Sequence, residues 1–314
     1  MKDLNKNDDG QGGYDLIVLG AGSAGFSAAI TGADAGKRVA LVGHGTIGGT
    51  CVNVGCVPSK AMIRAAEAVH CAGAAKRFPG LSGRAQVDDW QMLVQSKDDL
   101  VATLRQKKYA DLLPEYEDVD YIDAGPARLI EGGVTVGERT LKAPRTIIAT
   151  GGRPVLPTID GIEDIGALDS TSLLELEALP KSLIFIGAGY IGAELAQMMS
   201  RMGVKVTLVA RSHLLPGAEP EVSEALAAAF EAEGITLLTG LSYDTVRRDD
   251  AGDDGHQAVL DGAGLLGLLA NGGAPVGGSD HQGGVGRGLA GGGLLHDVGR
   301  WWFRCPCRPI RPIP

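Results

Sequence analysis

The sequence predicts an α/β fold of two three-layer, parallel-sheet units, the second incomplete, followed by a glycine-rich tail without regular structure. Three observations carry this. Near the start, between Tyr14 and Gly43, an apolar run, a glycine turn, a helical stretch and a second apolar run follow one another. The same order recurs between Ser182 and Arg211. Beyond about Gly252 hydrophobic periodicity is lost. Short apolar runs bounded by glycine are the pattern of buried parallel strands, and their alternation with helices argues for crossover units.

Taken in order, YDLIVLG (Tyr14–Gly20) reads as the first strand, GAGSAG with Gly20, Gly22 and Gly25 as a tight turn opening a helix to about Gly36, and RVALVG (Arg38–Gly43) as the second strand. That context is what a dinucleotide fingerprint requires, because a bare G-x-G-x-x-G is also met in ordinary tight turns. GGTCVNVGCVPSK (Gly48–Lys60) follows and sets Cys51 and Cys56 five residues apart. In a regular helix that spacing separates Cα atoms by roughly 8 to 9 Å, whereas a disulfide tolerates about 4.4 to 6.8 Å. The two sulfurs can meet only where the backbone leaves the helix, and Gly55 permits this. A helix is expected from Ser59 and a second from about Val87 to Leu113, then strands at DYIDAG, ARLI and GVTVG, and a final strand in RTIIATGGRP. Pro154 and Pro157 mark a linker. The second unit repeats the first: strand Ser182–Gly187, turn GAGYIG with Gly187, Gly189 and Gly192, a helix, strand Lys205–Arg211, then one more helix and strand. The expected organisation is a disordered lead at 1–13, a first nucleotide unit at 14–160, a partial second at 161–250 and an aberrant tail at 251–314.

Composition excludes several functions. A net charge of −9 gives a nucleic acid or an anionic membrane no electrostatic support. No apolar run reaches the eighteen or so residues that span a bilayer. The leading MKDLNKNDDGQGG lacks the apolar core of a signal peptide, so a cytoplasmic protein is expected. Five cysteines without a secretory signal suit redox chemistry better than a structural disulfide framework. Cys71, among small apolar residues, reads as a buried spectator, and Cys305 and Cys307 in the tail receive no role.

GGTCVNVGCVPSK resembles the redox-active motif of the class I flavin-dependent pyridine nucleotide-disulfide oxidoreductases, and the resemblance runs from about Tyr14 to about Arg248. It implies Rossmann-like FAD- and NAD(P)-binding units, FAD at the first fingerprint and NAD(P)H at the second. It further implies a redox-active disulfide of Cys51 and Cys56, with Cys56 nearer the flavin and Cys51 meeting the external substrate. Gly49 and Thr50, which open the motif, and the turn Ala149, Thr150 and Gly151 then approach the flavin. Lys60 lies beside the flavin ring and pairs with Glu194, and Tyr190 covers the flavin where nicotinamide enters. Lys60 and the amides opening the helix near Ser59 favour a thiolate. At the second strand end of the second unit stand Ala210 and Arg211 rather than a carboxylate, which points to NADPH over NADH through the 2′-phosphate. The first unit departs from the family at the matching place: Gly43 and His44 stand where an acidic residue holds the adenosine ribose.

Within the family, VPSKAMIRAAEAVH, LRQKKYADLL and Arg211 resemble the mercuric reductases. Glutathione reductases usually carry a lysine at the place of Ser59, and dihydrolipoamide dehydrogenases an acidic residue near Ala210. The resemblance implies reduction of Hg(II) to Hg(0), with Cys51 and Cys56 as transient thiolate ligands and no structural metal. Dihydrolipoamide dehydrogenase or another disulfide reductase is the alternative substrate class. The tail carries none of the family's later motifs, neither the return to the flavin unit nor the interface domain of its homodimer. It reads as an out-of-frame or truncated end, with a flexible linker as the alternative. Two functions therefore stay open: an active flavoenzyme, or a truncated remnant that only binds nucleotide.

Overall fold

The computed structural model describes residues 13–249 and 257–261. The first parallel sheet contains β1 (Leu16–Leu19), β2 (Val39–Val42), β3 (Val119–Ile122) and β7 (Thr146–Ile148), in the order β3-β2-β1-β7. Side chains alternate across it. Val18, Val39, Leu41 and Val119 face α1 (Ser23–Asp34) and meet Phe26 and Ala29. Ile17, Leu19, Ala40, Val42 and Ile122 face the other way and meet Val134, Val136 and Leu141. Those last residues come from an antiparallel sheet of β4 (Ala127–Ile130), β5 (Gly133–Val136) and β6 (Arg139–Lys142). Helix, parallel sheet and antiparallel sheet thus make three layers. Each fully buried Ile, Leu or Val contributes about 1.5 to 3 kcal/mol.

Between β2 and β3 lie α2 (Gly49–Asn53), α3 (Cys56–Gly73) and α4 (Trp90–Arg105). After β7 come α5 (Ser170–Leu174), β8 (Ser182–Ile186), α6 (Tyr190–Arg201), β9 (Lys205–Val209), α7 (Pro220–Ala232) and β10 (Thr236–Leu238). The second parallel sheet has the order β10-β9-β8. Helix α3 packs on α6: Met62 and Ala66 join Leu195, Met198 and Met199 in the largest core cluster. Helix α4 reaches the same core through Trp90, whose indole N–H donates to Leu176 O at 2.6 Å. Buried Lys97 donates to Leu174 O at 2.9 Å, where α5 ends. β11 (Thr245–Asp249) pairs antiparallel with β12 (Gln257–Asp261).

Several boundaries differ from those expected. α3 begins at Cys56 rather than Ser59, because Pro58 falls in the first turn, where its missing N–H costs no hydrogen bond. α4 begins at Trp90 because Asp89 accepts from the Met92 amide as N-cap. It passes into a π turn at Gln106–Ala110 instead of continuing to Leu113. β6 was not expected, and β12 lies where no strand pattern was read: QAVLD is too short and too glycine-flanked to signal itself, and its register comes from β11. The lead at 1–12, and the tail after 261 with Cys305 and Cys307, lie outside the described residues.

Candidate active site

Three segments far apart in the chain meet at the carboxyl end of β1. Gly20 has φ +114°, and a Cβ there would stand 2.1 Å from Ala149 O. Gly25 lets α1 press onto this turn, since a Cβ on it would lie 1.7 Å from Gly20 O. Only glycine meets both demands. The cysteine segment joins through Gly48 N–H to Ala21 O at 2.9 Å, and Gly49 lies so close that its Cβ would be 2.6 Å from Gly22 Cα. The Ala149–Gly151 turn joins through Ala149 N–H to Leu19 O at 2.7 Å, and Thr50 Oγ1 donates to Gly152 O at 3.0 Å. Gly22, the N-cap of α1, carries no side-chain cap, so the first amides of the helix remain open to an anion.

The cysteines sit at a break between two helices. α2 ends at Asn53, Gly55 takes φ −117° and ψ −111°, and Cys56 opens α3. The backbone leaves the helix where the spacing of the pair demands it. Cys51 and Cys56 are exposed thiols, and Cys71 is exposed rather than the buried spectator expected. A hydrogen bond to the Cys56 side chain, then burial, pushes the Cys51 thiol above its ordinary value; the Cys56 backbone N–H and the charge of Lys108 pull the other way. Cys56 stands at the positive end of an 18-residue helix.

Lys60, one turn into α3, forms an ion pair with Glu194 of α6, bringing together two residues 134 apart in the chain. The contact follows from the packing of α3 on α6. Glu194 belongs to the second fingerprint, where Gly187 has φ +106° and a Cβ on Gly192 would lie 2.4 Å from Gly187 O. In front of Gly187 and Gly189 the space is open: a Cβ on either meets nothing within 4 Å. Gly189, the N-cap of α6, again lacks a side-chain cap. Tyr190 opens α6 and is 64% exposed. The Arg211 guanidinium lies 5.4 Å over the Tyr243 ring.

Some of the supporting residues were not legible beforehand. Asn53 Nδ2 donates to Ile47 O and Gly49 O, both at 2.9 Å, and Arg105 Nη1 donates to Asn53 Oδ1 at 3.1 Å, so α4 braces the cysteine helix. The π turn presents Lys108 toward Cys51 and Tyr109 toward Ser23, whose hydroxyls lie 2.9 Å apart. Such turns concentrate at functional sites. LRQKKYADLL was the only signal for them, and it said nothing of contact with the cysteines.

The family model for pyridine nucleotide-disulphide oxidoreductases matches residues 14–266. The chain belongs to this family. The match extends beyond Arg248, where the resemblance in the sequence was placed, and takes in β12. Among curated relatives, the oxidoreductase is similar to a mercuric reductase of Streptomyces lividans, 44% identical over 260 residues, covering 79% of this chain and 54% of the relative. It is similar also to a mercuric reductase of Bacillus cereus, 40% identical over 283 residues, covering 87% of this chain and 44% of the relative. Among solved structures, a HOCl-induced flavoprotein disulfide reductase from Escherichia coli superposes with a TM-score of 0.65 at 28% identity, covering 78% of this chain and 54% of that one. The chain spans about half the length of these relatives.

A flavin and a nicotinamide nucleotide are the cofactors of this oxidoreductase family, and the two uncapped glycine turns suit two nucleotide pyrophosphates. Among the described residues no three or more His, Cys, Asp or Glu side chains group to hold a metal ion. Among the same residues no helix is long and apolar enough to cross a membrane.

Proposed function

We propose that this oxidoreductase is the nucleotide-binding and dithiol part of an NADPH-dependent, FAD-containing mercury(II) reductase. The observation that carries the reading is the joining of two thiols, Cys51 in α2 and Cys56 at the head of α3, to both fingerprint turns: to the first through Gly48 and Gly49, to the second through Lys60 and Glu194. Similarity to mercuric reductases at up to 44% identity supports Hg(II) as the substrate.

FAD belongs at residues 14–160, held by Gly20, Gly22, Gly25, Gly49, Thr50, Lys60 and the Ala149–Gly151 turn. NADPH belongs at 161–250, held by Gly187, Gly189, Gly192, Tyr190, Glu194 and Arg211. The bound flavin supplies two-electron transfer between the nicotinamide and the dithiol. Arg211, which lies over Tyr243 at a turn whose sequence Ala210-Arg211-Ser212 has no carboxylate, favours the 2′-phosphate of NADPH. Cys51 and Cys56 bind Hg(II) as thiolates, the soft ligands a soft cation selects. With two electrons from NADPH by way of the flavin, the metal would leave as Hg(0) and both sulfurs would return as thiolates. Lys60 keeps positive charge near the thiolates, and Glu194 keeps Lys60 in place. Free thiols and NADPH both suit a cytoplasmic site of action.

The test is an anaerobic titration of the full chain with NADPH after loading with FAD, followed by Hg(II). Flavin bleaching and Hg(II)-dependent NADPH oxidation are expected, with Cys56→Ala lowering the oxidation rate on the order of 10²-fold or more. A chain that takes up no flavin, or a Cys56→Ala chain that turns over like the parent, overturns the reading.

A further inference from the structure

Dinucleotide folds place a carboxylate at the end of the second strand to bind the adenosine ribose. Here Gly43 occupies that place, and the structure shows what fills it. The Gly43 N–H donates to Ile122 O at 2.9 Å, so the residue prolongs the pairing of β2 with β3. A Cβ on Gly43 would lie 2.5 Å from Tyr121 Oη, 2.7 Å from Cε2 and 2.9 Å from Cζ. The phenol of Tyr121 therefore stands in the volume that a side chain at position 43 would enter.

The seat is on the nucleotide side of the sheet. Tyr121 is opposite Leu41 in register and packs with Val39, Leu41 and Phe26 in the cluster beneath α1. Residues 39, 41 and 43 share that face through the alternation of a strand. Tyr121 is half-buried, yet its hydroxyl has no hydrogen-bond partner among the described residues, unlike Tyr14, which donates to Asp120 Oδ2 at 2.9 Å. Burial, with the charge of Asp123 behind it, pushes the Tyr121 phenol up, so the group is a neutral hydroxyl near pH 7, both donor and acceptor.

We propose that Tyr121 replaces the missing carboxylate and binds the ribose hydroxyls of the adenosine half of the nucleotide at the first fingerprint. This rests on the FAD reading above. Gly43 is then the necessary partner of Tyr121, since any larger residue evicts the ring.

The test compares FAD with FMN, which has the same isoalloxazine and phosphate but no adenosine. Each is titrated into the flavin-free full chain and followed by flavin fluorescence. Loss of one hydrogen bond in Tyr121→Phe is expected to weaken FAD binding about three- to tenfold and to leave FMN binding unchanged. The exchange variant Gly43→Glu with Tyr121→Ala, which clears the ring and restores the carboxylate, is expected to bind FAD more tightly than Tyr121→Ala alone. Equal FAD affinity in Tyr121→Phe and the parent, or an equal loss for FAD and FMN, overturns the assignment while the FAD reading stands. A parent chain that binds neither flavin overturns that reading, and the assignment with it.

Discussion

The sulfur of Cys51 is under opposed influences, and the balance is open to measurement. Its hydrogen bond to Cys56 is the largest cause holding the thiol protonated, followed by burial, while Lys108 favours the thiolate. Cys56→Ala removes the largest raising cause, so the midpoint for alkylation of Cys51 by iodoacetamide moves to lower pH. Lys108→Ala moves it the other way. Mass-spectrometric labelling of Cys51 across a pH series reads both shifts, with faster labelling near neutral pH expected in Cys56→Ala. Midpoints that coincide in all three chains would show that the two thiols do not interact. At this scale the sequence is informative where a residue type is forced. Gly20, Gly25 and Gly192 are readable because another backbone approaches within what a Cβ allows, and Cys51 with Cys56 because a glycine breaks the helix between them. Lys108 and Tyr121 are not, since each acts on a residue brought to it by packing.

The elements are tied together at the far end of α6 from its fingerprint. Glu233, the C-cap of α7, accepts from Arg201 Nε at 2.7 Å and Nη2 at 2.6 Å, and from Gln197 at 2.9 Å, with His70 of α3 at 3.9 Å. Burial pushes the Glu233 carboxyl up, but the hydrogen bond and charge of Arg201, with His70 and Gln197, outweigh it and hold the group below its ordinary 4.5. A depressed folded value stabilises the protein above pH 4.5, and that contribution disappears as pH falls through the lowered value. Glu233→Gln is expected to cost about 2 kcal/mol at neutral pH, the scale of charge-assisted bidentate hydrogen bonds. Urea denaturation checks this: the gap between parent and variant should narrow as pH drops below 4.5. A gap of constant size would remove the charge from the explanation. The helices that make this knot were legible from their apolar spacing, but their ends were not. The helix expected from Ser59 starts at Cys56, with Pro58 inside its first turn, and the π turn after Arg105 follows from no feature of the sequence.

At the scale of the molecule, the described residues leave the apolar border at β7 open. β7 is the outer strand of the first sheet, and all three of its residues are exposed, Ile148 to 63% and Ile147 to 40%. The linker beyond adds Val155 at 86% and Leu156 at 38%. Unpaired backbone groups along an apolar edge strand are a template for pairing with another chain, and contiguous apolar surface drives the same encounter. The parallel sheet and its glycine turns explain how a nucleotide site is built, and the same strand that carries Ala149 to that site presents this edge to solvent. Self-association of the full chain should therefore rise with concentration and resist salt, as an apolar contact does. Ile148→Lys places a charge on the edge without burying it in the fold, because Ile148 is already exposed. Losing the burial of one Ile side chain, about 1.5 to 3 kcal/mol, weakens association at least about tenfold in sedimentation velocity. Equal association of parent and variant would place the contact elsewhere on the surface and leave β7 a harmless edge.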